Sequence, residues 1–250
     1  MAGFDELTVA QTLDAHAALR DWRREGATPG SRPRIAINMI TSVDARVTKD
    51  GRSGGLSGEA DRELFHALRA QADAVMAGAN TARIERYGAI IRDPATRERR
   101  RAAGLRPQPY AILATRSGRI DPSLPLLADP DTHVIVVGPR QSDLPPRAAR
   151  VDYIAGATLD GAFTELHDRF GVDLVLCEGG PTLCGALLTA GLVDELFLTI
   201  TPRLIGGPPG PTFVDSPPLE AETALTLLQL LRSGDELFAR YRCGPALVGP

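Results

Sequence analysis

Glu178 and the two glycines after it are the residues of this chain whose types are best suited to chemistry. Glycine has no Cβ, so a bulky anion can approach the backbone of Gly179 and Gly180 closely. The apolar run at 174–177 predicts a strand before the turn, and Pro181 is typical of the first helical position after it. The free N–H groups and the dipole of such a helix favour an anion such as phosphate. A tight turn that binds nothing explains the same residues about equally well.

Two carboxylates stand where strands are predicted to end. Glu178 ends the strand before the glycine turn, and Asp44 follows a strand predicted over 34–40. A carboxyl group beside a bound ligand can hold or deliver a proton. The alternative for Glu178 is an acid that only stabilises the positive end of a helix. We predict both as catalytic residues, with Asp44 as the group that manages the proton.

Four glycine-rich or polar turns follow predicted strands, and in an open α/β sheet such turns share one edge. They lie around Asp44, Gly78, Thr115 and Gly179. In the third turn, Arg116 between Thr115 and Ser117 suits a ribose 2′-phosphate, because a guanidinium group forks onto phosphate oxygens and hydroxyls complete the shell. Arg140 is a second candidate for that phosphate. An ordinary polar loop is the simpler explanation of this turn.

The elements that must position these turns alternate between helix and strand. Apolar spacing predicts strands at 34–40, 74–77, 110–114, 133–137, 174–177 and 195–201. It predicts helices at 9–22 (capped by Thr8), from Ser57 onward, at 160–170 and at 181–191. Two closing runs, at 225–231 and 236–242, have hairpin spacing around Gly234. This order predicts an α/β fold, with a mostly parallel central sheet flanked by helices and an antiparallel C-terminal edge hairpin.

The charged stretch at 23–33 is rich in glycine and proline, which predicts a linker. We therefore divide the chain into an N-terminal helical arm and linker, residues 1–32, and a main domain, residues 33–250.

Composition argues against several classes of function. The chain has 250 residues and a formal net charge of −3, which gives no general attraction to nucleic acid or to an anionic membrane. Its three cysteines and four histidines show no metal-ligand spacing, so no metal is predicted. A start without a basic and apolar leader favours the cytoplasm. One arginine cluster is more typical of a solvated helix face than of a nucleic-acid site: Arg97, Arg99, Arg100, Arg101 and Arg106.

Seven short segments occur in a fixed order along the chain. They are 38–44 (NMITSVD), 51–56 (GRSGGL), 68–73 (LRAQAD), 78–81 (GANT), 178–183 (EGGPTL), 191–196 (GLVDEL) and 201–207 (TPRLIGG). Together they resemble the reductase domain of bacterial riboflavin biosynthesis, the RibD C-terminal type, and most of all its stand-alone pyrimidine reductases. The resemblance covers roughly residues 33–242.

This resemblance implies a dihydrofolate-reductase-like fold, a homodimer, and NADPH as the hydride donor. The implied substrate is 5-amino-6-(5-phosphoribosylamino)uracil, whose ribosyl carbon is reduced. By likeness, the cofactor would contact Gly78, Thr81, Thr115, Arg116, Ser117, Gly179, Gly180, Pro181, Thr182 and Leu183. The substrate would contact Ser53, Arg69, Arg92 and Glu178, and the two arginines are the implied phosphate anchors.

The chain departs from the family pattern in three places. It has no zinc-deaminase signature ahead of this domain. Gly55 stands where the family usually has tryptophan. The residues at 82–88 replace an acidic turn of the family pattern, so Arg92 is matched to that pattern only by its distance along the sequence. Two alternatives therefore stay open. One is a reductase of dihydrofolate or another pteridine, and the other is a regulatory protein that binds NADPH without catalysis.

Overall fold

The structure is a computed structural model, and it describes residues 12–25, 30–208, 210–217, 219 and 222–247. The strands are β1 (Arg34–Ser42), β2 (Ala74–Gly78), β3 (Tyr110–Ala114), β4 (His133–Gly138), β5 (Arg150–Ala155), β6 (Leu174–Cys177), β7 (Glu195–Thr201), β8 (Glu222–Ser233) and β9 (Glu236–Leu247). The helices are α1 (Ala15–Ala18), α2 (Glu59–Gln71), α3 (Ala79–Ile84), α4 (Pro94–Ala102), α5 (Leu159–Phe170) and α6 (Pro181–Thr189). Among the described residues, no helix has both the length and the apolar composition that crossing a membrane requires.

All nine strands form one sheet, in the order β5-β4-β3-β2-β6-β1-β7-β9-β8. Strands β1 to β7 run parallel to one another, whereas β9 pairs antiparallel with β7 and β8 pairs antiparallel with β9. The predicted fold class, a mostly parallel sheet with a C-terminal edge hairpin, is confirmed. The hairpin is longer at both outer ends than predicted. Strand β5 and helix α3 were not predicted, and α4 was implied only by the helix face assigned to the arginine cluster.

The central strands are covered on both faces. Ile35 and Ile37 of β1 pack into one apolar core, and Ala36 between them packs into the other. Successive side chains of a strand point to opposite faces, so a strand with apolar residues at every position must be buried on both. This places the polar residues of the central strands at their ends, where the turns begin.

The N-terminal arm packs against the sheet. Trp22 is 1% exposed, and its ring lies edge-on to Phe197 of β7 with the ring centroids 5.2 Å apart. Its indole N–H donates to Glu195 Oε2 at 3.2 Å. In the described residues the helix of the arm spans only Ala15–Ala18, with Asp14 as its N-cap. The predicted cap at Thr8 and the start of the predicted helix lie outside the described residues.

Two local predictions were wrong. Helix α2 begins at Glu59 after an N-cap at Gly58, because the Ser57 hydroxyl donates to Asp61 instead of capping the backbone. Arg100, assigned to a solvated face, is 2% exposed. Its guanidinium donates to the carbonyl oxygens of Ala70 and Ala72 at 2.8 and 2.9 Å, and so supplies hydrogen-bond donors to the C-terminal end of α2. Burial lowers the pKa of Arg100 to about 10.

Candidate active site

The sheet order places the carboxyl ends of β4, β3, β2, β6 and β1 next to one another along one edge. The four polar turns identified in the sequence follow β1, β2, β3 and β6, so they lie side by side at this edge. In open α/β sheets this is the edge at which ligands bind.

At the centre of the edge, the turn after β6 touches the turn after β2. The Gly78 N–H donates to the Gly179 carbonyl at 2.8 Å. Gly179 has φ +84°, a conformation that favours glycine. A Cβ on Gly180 would lie 2.6 Å from Thr81 Oγ1, which leaves space for no side chain. We call Gly78, Thr81 and residues 179–183 the glycine-turn region.

Helix α6 starts at this turn. Pro181 is its first residue, and the N–H groups of Leu183 and Cys184 donate to the Gly180 carbonyl at 2.9 and 3.0 Å. The first N–H groups of a helix have no partner within it, so this end favours an anion. The Thr182 hydroxyl donates to Asp215 Oδ2 at 3.0 Å, and this hydrogen bond holds the loop segment around Asp215 beside the helix.

The turn after β3 lies two strands from the glycine turn. The hydroxyl oxygens of Thr115 and Ser117 are 3.4 Å apart, and Arg116 between them is exposed. A Cβ on Gly118 would lie 2.8 Å from Cγ of Arg140, so the Arg140 side chain covers this turn. The two arginines proposed for a 2′-phosphate therefore belong to neighbouring turns.

Next to the glycine turn, Glu178 is held by two large side chains. Its Oε1 accepts from Arg69 Nε at 2.6 Å, and its Oε2 accepts from Arg69 Nη2 at 2.7 Å. The Tyr87 hydroxyl donates to the same Oε2 at 2.6 Å. The side chain of Glu178 is 3% exposed and that of Arg69 is 11% exposed. We call Glu178, Arg69 and Tyr87 the carboxylate cluster.

Burial and charge set the ionisation of the two partners. Burial lowers the pKa of Arg69, but the charge and hydrogen bonds of the Glu178 carboxylate, together with Tyr87, raise that pKa above the usual arginine value. Burial, together with the Glu178 charge, raises the pKa of Tyr87 well above that of a free tyrosine. Arg69 is therefore charged and Tyr87 carries its proton, so both are donors to Glu178.

The other two residues with an implied substrate role lie on the same side of the site. The backbone N–H and the hydroxyl of Ser53 donate to Glu85 Oε1 at 2.9 and 3.1 Å. Arg92 is exposed and follows the turn that carries Tyr87. Because the guanidinium group of Arg69 is committed to Glu178, Arg92 is the implied phosphate anchor that is open to solvent.

Asp44 has a different environment from the one expected for a proton carrier. Its carboxylate accepts from the Ser42 hydroxyl at 2.6 Å and from the N–H groups of Ile205 and Gly206 at 3.1 and 2.7 Å. These hydrogen bonds, that of Ser42 first, lower the pKa of Asp44 far below the usual value. A carboxylate of this kind does not hold a proton near neutral pH. These contacts tie Asp44 to the backbone at 205–206, and its proton-handling role stays a prediction.

Three residues of the site were missed by sequence reasoning: Glu85, Tyr87 and Asp215. Two of them lie in the stretch at 82–88, which departs from the family pattern. That departure was a usable signal, because a changed turn beside a binding site brings in new side chains. Asp215 lies in a long loop with no motif of its own.

A cavity lies at the opposite edge of the sheet. It has a volume of about 850 Å³ and is bordered by the N-terminal arm and by the amino-terminal ends of β1 and β6. Arginine is the most frequent residue of its lining, which includes Arg20, Arg24 and Arg99. None of the turns that could bind a ligand at the carboxyl edge contributes to it. The volume of this cavity is therefore no reason to place the reaction there.

Comparison with known proteins gives concordant matches. Residues 33–239 match the family described as the RibD C-terminal domain. The chain is 30% identical over 220 residues to the 2,5-diamino-6-ribosylamino-4(3H)-pyrimidinone 5′-phosphate reductase of Methanothermobacter thermautotrophicus, over 84% of this chain and 98% of that protein. It is 33% identical over 201 residues to the riboflavin biosynthesis protein RibD of Mycobacterium tuberculosis, over 78% of this chain and 49% of that protein. It thus matches about half the length of that larger relative.

Among solved structures, the fold resembles that of a pyrimidine reductase-like protein from Corynebacterium diphtheriae. The TM-score is 0.73 at 27% identity, over 92% of this chain and 99% of that chain. An Acinetobacter baumannii RibD structure has a TM-score of 0.70 at 23% identity, over 91% of this chain and 62% of that chain.

Proposed function

The chain belongs to the RibD C-terminal domain family, and we propose that it is an NADPH-dependent reductase of a phosphoribosylaminopyrimidine in riboflavin biosynthesis. The observation that carries this proposal is the position of the carboxylate cluster, directly beside a glycine turn that opens helix α6. The turn suits the phosphates of a nicotinamide dinucleotide, and the carboxylate suits the N–H donors of an aminopyrimidine. The Methanothermobacter relative is named as a reductase of such a compound, and the Corynebacterium protein as pyrimidine reductase-like, which favours this function over a pteridine reductase or a regulatory binder.

The residues present fit a dinucleotide. A Cβ on Gly180 would lie 2.6 Å from Thr81 Oγ1, so this turn requires glycine and places the Thr81 hydroxyl against the start of α6. The start of α6, with Pro181, Thr182 and Leu183, would hold the pyrophosphate. Arg116, with Thr115 and Ser117, would hold the 2′-phosphate that distinguishes NADPH from NADH. The bound nicotinamide supplies the hydride.

On the substrate side, Glu178 would accept hydrogen bonds from the pyrimidine, Ser53 would orient the sugar, and Arg92 would bind the phosphate. The hydride adds to the ribosyl carbon C1′, the C1′–O4′ bond of the sugar ring breaks, and one proton on the released oxygen completes the ribitylamine. The Asp44 carboxylate holds a loop and does not serve as the proton donor in this proposal.

Two pyrimidines are candidates. One is 5-amino-6-(5-phosphoribosylamino)uracil. The other is 2,5-diamino-6-ribosylamino-4(3H)-pyrimidinone 5′-phosphate, which is favoured by the name of the Methanothermobacter relative. The two differ in whether the ring has been deaminated before reduction.

NADPH oxidation by the purified protein, measured with each pyrimidine and with dihydrofolate in parallel, tests the function. We expect turnover with at least one ribosylaminopyrimidine phosphate and a preference for NADPH over NADH. Turnover of dihydrofolate alone would replace the proposed substrate, and NADPH binding without any turnover would favour a regulatory protein.

We also propose that the protein works in the cytoplasm as a homodimer, with residues 33–250 as the reductase domain and residues 1–32 as an arm. The outer strand β8 exposes Leu225 and Leu227 at 47% and 49%. Exposed apolar side chains on an edge strand favour contact with a second copy. Light scattering of the protein in solution, together with Leu225→Glu, tests the dimer: the variant should be monomeric.

A further inference from the structure

The cavity at the amino-terminal edge of the sheet concentrates positive charge, and we call it the amino-edge cavity. The whole chain has a formal net charge of −3, yet seven arginines and only two aspartates line this cavity. Its volume of about 850 Å³ lies in the range of pockets that hold small organic molecules. The seven arginines come from three parts of the chain: Arg20, Arg23 and Arg24 of the arm, Arg32 and Arg34 around the start of β1, and Arg99 and Arg100 of α4.

The surrounding structure neutralises only part of this charge. Four of the arginines form ion pairs with carboxylates that do not line the cavity: Arg23 with Asp73 at 2.8 Å, Arg32 with Asp194 at 2.9 Å, Arg34 with Glu195 at 3.5 Å, and Arg99 with Asp93 at 3.7 Å. In the described part of the chain, Arg20, Arg24 and Arg100 form no ion pair. The two aspartates of the lining, Asp21 and Asp173, therefore leave an excess of positive charge.

Arg100 is a buried cation at this cavity. It is 2% exposed, and its Nε and Nη1 donate to backbone carbonyl oxygens, those of Arg69, Ala70, Ala72 and Arg106. Its Nη2 has no hydrogen-bond partner among the described residues. A buried charge without a counter-ion is costly, because the interior solvates it poorly. An anion in the amino-edge cavity would supply that counter-ion.

Arg34 contributes a second unsatisfied nitrogen to the same lining. Its Nη2 donates to the Trp22 carbonyl at 2.7 Å. Its Nη1 is buried and lies 3.5 Å from Glu195 Oε1, but it makes no hydrogen bond within the described ranges. Buried polar groups are normally hydrogen-bonded. Two unsatisfied guanidinium nitrogens at one cavity therefore favour a ligand with several acceptor oxygens.

We propose that the amino-edge cavity is a second binding site, which takes a small organic phosphate with at least two negative charges. Phosphate oxygens match the fork of a guanidinium group, and several arginines can share one ligand. Arg20 and Arg24 would contact the ligand from the exposed side, and Arg34 and Arg100 would supply charge from the buried side. The site lies at the opposite edge of the sheet from the candidate active site, so both can be occupied at once.

Titration calorimetry with inorganic pyrophosphate, in buffer without divalent metal, tests the site. The decisive variant is Arg20→Ala/Arg24→Ala, since both side chains are exposed and form no ion pair among the described residues. Arg100 is left in place because it holds the end of α2. We expect the variant to bind pyrophosphate about tenfold more weakly, because charged donors are lost.

Arg116→Ala/Arg119→Ala is the matched control, because it removes two exposed arginines at the carboxyl edge and changes the net charge equally. It should bind pyrophosphate as the wild type does, and saturating NADPH should not displace pyrophosphate from either protein. An equal loss in both double variants would assign the binding to net charge alone. A loss in the control only, or displacement by NADPH, would place pyrophosphate at the candidate active site. Each of these results would overturn the proposal, as would the absence of pyrophosphate binding by the wild type.

A gain of affinity gives the converse test. Asp21→Asn removes one of the two carboxylates of the lining and keeps the shape of the side chain. We expect it to bind pyrophosphate about threefold more tightly, since the repulsion of the anion is reduced. Unchanged or weaker binding would overturn the proposal. None of these measurements depends on turnover, so their outcome is independent of the proposed reductase activity.

Discussion

The glycine-turn region and the carboxylate cluster lie side by side at one edge of the sheet, and they are built differently. The first is made of backbone groups and small residues, and the Thr81 hydroxyl fills the space where a side chain of Gly180 would lie. In the second, Arg69 and Tyr87 satisfy most of the acceptor positions of Glu178. The first region can thus bind a large anion, whereas the second presents a single, oriented acceptor. Substitutions should therefore separate cofactor binding from turnover.

The largest effect is expected for Glu178→Gln. The change leaves Arg69 as a buried cation without its partner, and we expect kcat/KM for the pyrimidine to fall about 100-fold. The melting temperature should also fall. Affinity for NADPH, measured by fluorescence titration, should change by less than about threefold, because the contacts of the glycine-turn region remain.

Glu98→Gln is the control, because that carboxylate lies on α4 with its side chain 70% exposed. It should leave all three quantities unchanged. An equal loss of NADPH affinity and turnover in Glu178→Gln would show that the two regions do not act separately.

Gly180→Ala should have the next largest effect, and on the opposite quantity. The new Cβ would lie 2.6 Å from Thr81 Oγ1, so the turn must shift. Overpacking of this kind costs about 1–3 kcal/mol, and we expect NADPH to bind about thirtyfold more weakly by titration calorimetry.

Gly244→Ala adds the same methyl group on β9, where the nearest atom would be 3.5 Å away, an ordinary contact. Its affinity for NADPH should equal that of the wild type. If Gly180→Ala also binds NADPH normally, the glycine turn is not the phosphate site.

Arg116→Ala tests a single contact of the cofactor, the one proposed for its 2′-phosphate. A charge-assisted hydrogen bond to a phosphate contributes enough that its loss should lower the preference for NADPH over NADH about tenfold. Affinity for NADH should be unchanged. Arg119→Ala, in the same loop, tests for a general loss of positive charge. If both variants lose the preference equally, long-range attraction explains the selectivity and a specific contact does not.

Asp44→Asn should have the smallest effect on turnover at neutral pH, because Asp44 holds a loop. The pKa of Asp44 is lowered in the folded protein, so its carboxylate stabilises the fold at pH values above about 4, the unfolded pKa, and this stabilisation is lost as the pH falls further. The variant should melt below the wild type at pH 7, and the difference should shrink below about pH 4. A large drop in kcat with an unchanged melting temperature would restore a catalytic role to Asp44.

Much of the fold could be predicted because local pattern and tertiary structure agree. The buried strands β1, β3, β6 and β7 are apolar runs bounded by turn residues, and each was predicted close to its observed bounds. Strand β5 was missed since it lies at the sheet edge, where most of its side chains are partly exposed and the apolar pattern is weak. Arg100 was assigned to solvent because nothing in its own segment reveals the carbonyl groups of α2 that it reaches.

The candidate site also has one part that could be predicted from the sequence and one part that could not. The glycine turn could be predicted because it depends on backbone geometry encoded in adjacent residues. The carboxylate cluster could not, because Arg69, Tyr87 and Glu178 come from three separate parts of the chain and their pairing exists only in the folded protein. Residue type and the family resemblance predicted Arg69 as a phosphate anchor and Asp44 as a proton carrier. In the folded chain Arg69 pairs with Glu178, and Asp44 accepts a hydrogen bond from the Gly206 N–H; both roles stay predictions.

Transfer of deuterium from NADPH labelled at the transferable position of the nicotinamide tests the central claim most directly. The product of turnover with the ribosylaminopyrimidine phosphate would be isolated and examined by mass spectrometry and NMR. We predict one deuterium per product molecule, on the ribityl carbon attached to nitrogen. An unlabelled product, or no product from either pyrimidine despite NADPH binding, would contradict the assignment of this protein as a ribosylaminopyrimidine phosphate reductase.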